Sequence, residues 1–298
     1  MSSKNDIDSL LDEAFLQKLD MLRIMAQKRV RGLNIGEHAS WRGGGNLEFL
    51  DHRNYQLGDD LRYVDWNVYG RLDKLFIKLF QAERDLSIYV VLDMSLSMSV
   101  GSPSKELYAK KIAAALSYIG LGNMDRVGLA SFNNSLSVAR APEKGRQVYL
   151  TILEFLLGLT PDGETDLNSS LIEFAASAKQ KGIVIVISDL LDQKGFQKGI
   201  KTLIQDKYEI IVVQVLDQQE RFPKLNGYLK LKDLETAVEK NLTLNPELVA
   251  RYQQKFETYI SEIKNFCLEN GIEYFLADTH LPFEDFLLDF LNHGKFVY

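Results

Sequence analysis

At 298 residues, with 46% hydrophobic and 10% aromatic side chains, the chain has ample material for a buried core, which excludes a disordered protein. A formal net charge of −6 argues against nucleic acid as the main partner, since phosphate binding requires a basic face. The lone cysteine, Cys267, excludes an intramolecular disulfide and suits a reducing compartment; beside Phe266 on an amphipathic segment it reads as a buried, inert thiol.

The first residues, Met1 to Asp6, lack the apolar centre of a signal peptide, and no apolar span approaches the roughly 20 residues of a membrane helix. A cytoplasmic protein without membrane insertion is expected. Ile7–Arg31 carries Leu10, Leu11, Phe15, Leu19, Leu22 and Met25 at helical spacing and predicts an amphipathic helix. Its basic run Lys28-Arg29-Val30-Arg31 reads as a solvated helix end. From Gly36 to Arg84 the chain is dense in Gly, Arg, Asp and aromatics, and holds both tryptophans, Trp41 and Trp66. Gly43-Gly44-Gly45 and Gly58-Asp59-Asp60 mark turns, the second with an Asp cap on a short helix. Arg62 and Asp65 read as a helical ion pair of a few tenths of a kcal/mol. Structural support is the leading reading of this block; a charged docking surface formed by Arg53, Arg62 and Arg71 is the alternative. Leu75–Phe80 alternates apolar and charged residues and predicts a strand. Residues 1–86 therefore predict a helix followed by an irregular, β-containing subdomain.

Beyond this point strands and helices alternate. Strands are expected at Ser87–Asp93, Arg126–Phe132, Gly182–Ser188, Tyr208–Leu216 and Ile272–Leu276, with Ser135–Ala141 as an antiparallel edge strand. Helices are expected near Ser104–Gly120, Gly145–Leu157, Leu167–Lys181 and Phe196–Gln205. Pro103 suits the first position of the first of these, after a Ser102 cap. Alternation over Tyr228–Leu244 predicts a hairpin inserted near 226–244. A long helix opens at Asn245-Pro246, and a last one covers Phe283–Leu291. The fold class expected for residues 87–298 is α/β, a doubly wound, mostly parallel sheet of Rossmann-like type.

The chemistry gathers at Ile88-Tyr89-Val90-Val91-Leu92-Asp93-Met94-Ser95-Leu96-Ser97. A continuous apolar run is the mark of a strand buried on both faces. The polar cluster falls just past its carboxyl end, where open α/β sheets place ligands. One carboxylate and two hydroxyls are hard oxygens suited to a small divalent cation such as Mg²⁺, with Mn²⁺ or Ca²⁺ as substitutes. The absence of a neighbouring thiolate or imidazole argues against zinc or copper. Taken alone, the pentapeptide reads equally well as a Ser-rich turn. Further ligands are to be sought at other strand ends: Thr165, just before the helix at Leu167, and Asp189, after the strand ending at Ser188. Asp93, Ser95, Ser97, Thr165 and Asp189 then offer oxygen donors from separate loops, with one metal position left for an outside carboxylate. Glu164, next to Thr165, is expected to face solvent. His38, His52, His280 and His293 show no metal-ligand spacing.

Asp93-x-Ser95-x-Ser97 with Thr165 and Asp189 resembles the metal-ion-dependent adhesion site of von Willebrand factor type A domains, over roughly residues 87–292. Gly44-Gly45-Asn46-Leu47-Glu48-Phe49, Arg53-Asn54-Tyr55, Gly58-Asp59-Asp60-Leu61-Arg62 and Val64-Asp65-Trp66 resemble the core of the bacterial domain-of-unknown-function family 58. That resemblance implies a non-catalytic, Mg²⁺-dependent adaptor working with a MoxR-type AAA+ ATPase in complex assembly or metal-cofactor insertion. A client protein would supply the acidic ligand.

The rival readings are a phosphotransferase or phosphatase using Asp93 as phosphoryl acceptor, and a metal-free scaffold. Against the first, Ser95 stands where a haloacid-dehalogenase-type enzyme needs a second carboxylate. No G-x-x-x-x-G-K-[ST] loop is present, and Ser95 and Ser97 lack the flanking glycines of a nucleophile elbow.

Overall fold

The computed structural model describes residues 17–19, 21, 47–56, 59–82, 86–223, 227–232 and 239–293. The expected helix over Ile7–Arg31, apart from Gln17 to Leu19 and Met21, lies outside the described residues, as do the basic run at Lys28, Trp41 and the triple glycine at Gly43. The chain divides into two compact units, one of residues 31–85 and the other of residues 1–30 with 86–298.

The smaller unit is built on an antiparallel pair, β1 (Leu47–Asn54) and β2 (Phe76–Ala82), with a bulge between Phe49 and Asp51. Between them runs a short helix, α1 (Trp66–Leu72). Asp65 caps α1 by accepting from the backbone N–H groups of Asn67 and Val68, and its other carboxylate oxygen meets His52 at 3.0 Å and Lys78 at 3.3 Å. Arg62, expected to pair with Asp65, pairs with Asp60 at 2.6 Å. Asp60 caps a single 3₁₀ turn at Leu61–Tyr63, which leaves Arg62 beside its own cap residue instead of one helical turn from Asp65.

The larger unit holds a six-stranded sheet. Its strands are β3 (Ser87–Asp93), β4 (Arg126–Phe132), β5 (Leu136–Glu143), β6 (Ile183–Ser188), β7 (Glu209–Leu216) and, after a separate hairpin, β10 (Glu273–Asp278). The order across the sheet is β10-β7-β6-β3-β4-β5, parallel throughout except for β5, which runs antiparallel to β4. The hairpin is β8 (Gly227–Lys232) with β9 (Glu239–Leu244).

Helices cover both faces, and the strands show why. Along β3, Ile88, Val90 and Leu92 point into one core and Tyr89 and Val91 into the other; β6 divides Ile183, Ile185 and Ile187 from Val184 and Val186 in the same way. With side chains alternating between two dry faces, every position must be apolar, and a continuous apolar run results. The first face packs α2 (Lys105–Gly122), α3 (Gln147–Gly158), α8 (Phe283–His293) and Leu19. The second packs α4 (Leu167–Ser177), α5 (Gln197–Gln205) and α7 (Pro246–Glu269).

At two helix ends the departure from expectation has a visible cause. Helix α2 begins at Lys105 with Ser104 as its cap, whose hydroxyl accepts from the Leu107 N–H; Pro103 stands in the turn before it. Helix α4 stops at Ser177 and does not reach Lys181. The tyrosine hydroxyls of Tyr208 and Tyr89 take the carbonyls of Ala178 and Gln180, peeling that segment away from the helical course. Gly182 follows, where a Cβ would run into the Ser87 carbonyl oxygen, so only glycine lets β6 start beside β3.

Candidate functional site

The chain runs from β3 outward through β4 and β5, then returns to the other side of β3 for β6 and β7. The order reverses between β3 and β6, and the carboxyl ends of strands at such a switch point splay loops apart into a crevice. Asp93 is the last residue of β3, and Ser188 and Asp189 end and follow β6. The topology itself thus brings the two carboxylates to the same end of adjacent strands.

Asp93 is fully buried, and both its oxygens are engaged. One accepts from the Ser95 N–H at 3.0 Å and the Ser95 hydroxyl at 2.6 Å; the other accepts from the Ser188 hydroxyl at 2.6 Å. The Ser95 and Ser97 hydroxyls lie 3.0 Å apart, so Asp93, Ser95 and Ser97 form one connected oxygen cluster. Burial, and next the charge of Asp189, push the Asp93 carboxyl well above the ordinary range, while the hydrogen bonds from Ser188 and Ser95 pull it down. The ionised form of Asp93 is therefore short of positive charge.

Thr165 lies buried on the loop before α4, and this loop is tied to both others. On one side the Leu96 N–H donates to the Gly163 carbonyl at 3.0 Å and the Asp162 N–H to the Met94 carbonyl at 2.8 Å. On the other the Leu167 N–H donates to Asp192 at 2.9 Å, and Lys194 to Asp166 at 2.9 Å. Glu164 is exposed. Thus the Asp93, Thr165 and Asp189 loops are bonded into one assembly.

Asp189 has surroundings that sequence reasoning missed. Its backbone carbonyl accepts from Gln214, and one carboxylate oxygen accepts from the Leu191 N–H at 3.0 Å. The other accepts from the Lys105 ammonium at 2.7 Å, and the same ammonium donates to Glu220 at 2.5 Å. The Lys105 side chain is wholly buried. Burial alone would lower its pKa, but Asp189 and Glu220 outweigh this and hold the ammonium above its usual value. Burial pushes Glu220 up, against the pull of Lys105. One signal for Lys105 was present in the sequence: a lysine in the first turn of a helix opposes the helix dipole and calls for an anionic partner. Ser188 gave none, since a strand-end serine is ordinary.

The donor set fits a hard divalent cation. It offers carboxylate and hydroxyl oxygens without sulfur or imidazole, and it contains a buried carboxylate in need of positive charge. Among the described residues no group of three or more His, Cys, Asp or Glu side chains is placed to hold a metal, so a cation here depends on the hydroxyls. Asp93, Ser95 and Ser97 would hold it on one side and Thr165 and Asp189 on the other. A separate surface hollow of about 260 Å³, lined among others by Ile183, Tyr208 and Glu273, sits at the amino ends of β6, β7 and β10, the opposite end of the sheet.

Three of the four histidines and the cysteine are accounted for structurally, and His38 lies outside the described residues. His52 sits on Asp65, His280 lies near Asp217 and Asp278, and His293 pairs with Asp289 on its own helix. Cys267 is buried.

The model of a protein family described as "Protein of unknown function DUF58" matches residues 51–259. Uncharacterized proteins of Mycobacterium tuberculosis and Mycobacterium bovis are each 28% identical over 252 residues, covering 82% of this chain and 78% of theirs. Similar solved structures include the conserved hypothetical protein BatB from Bacteroides thetaiotaomicron, with TM-score 0.44, 16% identity, and coverage of 70% of this chain and 97% of that one. The SpRpn10 VWA domain matches with TM-score 0.41 and 11% identity, covering 72% of this chain and 97% of its own.

Proposed function

The chain belongs to the family of proteins of unknown function DUF58, and we propose that its α/β body is of von Willebrand factor A type and acts as a non-catalytic, Mg²⁺-dependent protein-interaction module. One observation carries this reading: Asp93, Ser95 and Ser97 form a bonded oxygen cluster at the sheet's switch point, where burial first and the charge of Asp189 second disfavour ionisation of Asp93. A divalent cation relieves that repulsion, and Mg²⁺, which prefers six oxygens, keeps a position for an outside carboxylate. The protein would then capture an acidic residue of a client. In keeping with the family resemblance, it would do so in the cytoplasm as adaptor for a MoxR-type AAA+ ATPase in complex assembly or cofactor insertion. No helix among the described residues is long and apolar enough to cross a membrane.

The test is affinity capture from native lysate in Mg²⁺ and in chelator, with Asp93→Ala and Asp189→Ala as controls. The expected result is an ATPase or client that departs on chelation and is missing from both variants, while their circular dichroism matches wild type. Metal-independent capture would favour the scaffold, and Asp93-dependent hydrolysis of acetyl phosphate would favour the phosphotransferase.

A further inference from the structure

Lys105 is the residue the proposed function leaves unused, and its position is unusual. It is a wholly buried ammonium, lodged between Asp189 at 2.7 Å and Glu220 at 2.5 Å, at the first position of α2. A lone lysine does not enter a dry interior without a strong electrostatic reason. Here the reason is that Asp189 and Glu220 flank it directly, with the buried carboxylates of Asp93 and Asp217 at neighbouring strand ends. Of these, Asp93 and Asp189 are the two carboxylates of the proposed metal set, and Lys105 directly offsets the charge of Asp189.

Glu220 is itself firmly placed. Its second oxygen accepts from the Asp217 N–H at 3.1 Å in a capping box of the short helix α6 (Gln218–Arg221), and its backbone carbonyl accepts from the Tyr252 hydroxyl at 2.8 Å. Lys105 is therefore held from the Glu220 side independently of Asp189. Its charge bears on the crevice as a fixed positive neighbour of the Asp189 carboxylate.

We propose that Lys105 is a built-in counter-ion that sets the divalent-metal affinity of the crevice, holding it weaker than the two carboxylates alone would make it, so that metal is retained chiefly when a partner's acidic group completes the site. This rests on the metal reading above. It makes Lys105 a positioning residue, acting through Asp189. An internal cation competes electrostatically with an incoming one, and in a low-dielectric setting that competition is strong. A purely structural Lys105 would have the opposite consequence, since removing it would loosen Asp189 and weaken the metal.

The experiment measures Mn²⁺ binding, with Mn²⁺ as the only ligand, by electron paramagnetic resonance on the full chain. Wild type, Lys105→Met and Glu220→Gln are compared, with thermal melts in Mn²⁺ and in chelator alongside. The expected result is binding tightened about tenfold or more in Lys105→Met and weakened in Glu220→Gln, where the ammonium is left to Asp189 alone. Lys105→Met is also expected to gain more melting temperature from Mn²⁺ than wild type does. Metal binding by wild type with weaker or equal binding by folded Lys105→Met overturns this role and leaves the metal reading standing. Absence of binding in every variant overturns both. Binding confined to Lys105→Met supports the counter-ion. If Lys105→Met does not fold, Glu220→Gln decides: weaker binding supports the role, and equal or tighter binding overturns it.

Discussion

A buried side chain is defined by what answers its polarity. Asp93 is answered by three hydrogen-bond donors and yet remains short of charge; Lys105 is answered by two carboxylates. Cys267 is buried in the core, and that burial pushes its thiol up to about 12. At pH 8 the folded thiol is therefore almost wholly protonated and sterically enclosed. Labelling with a thiol-specific disulfide reagent is expected to be slow in the native protein and to reach one equivalent only when the chain is unfolded in guanidinium. Prompt stoichiometric labelling of the native protein would show that the long helix does not bury this residue. The cluster at Asp93 was legible in the sequence because its donors lie two residues apart on one loop. Lys105 and Glu220 were not, since only the packing of α2 and α6 against the loop after β6 brings them together, and Ser188 reaches Asp93 only through the pairing of β3 with β6.

At the scale of elements, the strands were readable because β3 and β6 are apolar on both faces and need no partner to be recognised. Helix ends were less so. The start of α2 is set by which of two neighbouring serines caps it, and the end of α4 by two tyrosine hydroxyls distant in sequence. In the smaller unit, Asp65 is the pin of α1, and its hydrogen bond from His52, together with Lys78 and the cap N–H groups, draws its carboxyl down to about 2 from 3.8. A carboxyl lowered on folding stabilises above its unfolded pKa, and that contribution is lost as pH falls through the folded one. The Asp65 contribution is thus fully present at neutral pH and disappears between about 3.8 and about 2. With Trp41→Phe making Trp66 the only indole, Asp65→Asn is expected to lower the urea midpoint of the Trp66 signal at pH 7. That gap should close as pH approaches 2. A gap unchanged with pH would mean that the cap, and not its charge, holds α1.

At the scale of the whole molecule, the larger unit concentrates an apolar double core under one sheet and gathers its buried charge at one end of that sheet. Such a body has its electrostatic cost localised where a single ion can relieve it. A ligand that binds only the folded state stabilises by mass action, contributing about 2.7 kcal/mol at a concentration 100 times its dissociation constant. For a body of this size that corresponds to a rise in melting midpoint of roughly 5 to 10 °C. Mg²⁺ added to chelator-treated protein is therefore expected to raise the midpoint by an amount that grows with the logarithm of its concentration once the site is saturated. Asp93→Asn should lose this increment, because an amide supplies no charge, while retaining a cooperative transition. Ser97→Ala should lose only part, because it removes one hydroxyl from the edge of the cluster and leaves both carboxylates in place. Equal midpoints in Mg²⁺ and chelator, or an increment that survives Asp93→Asn, would place any bound cation elsewhere and return the crevice to a hydrogen-bonded turn.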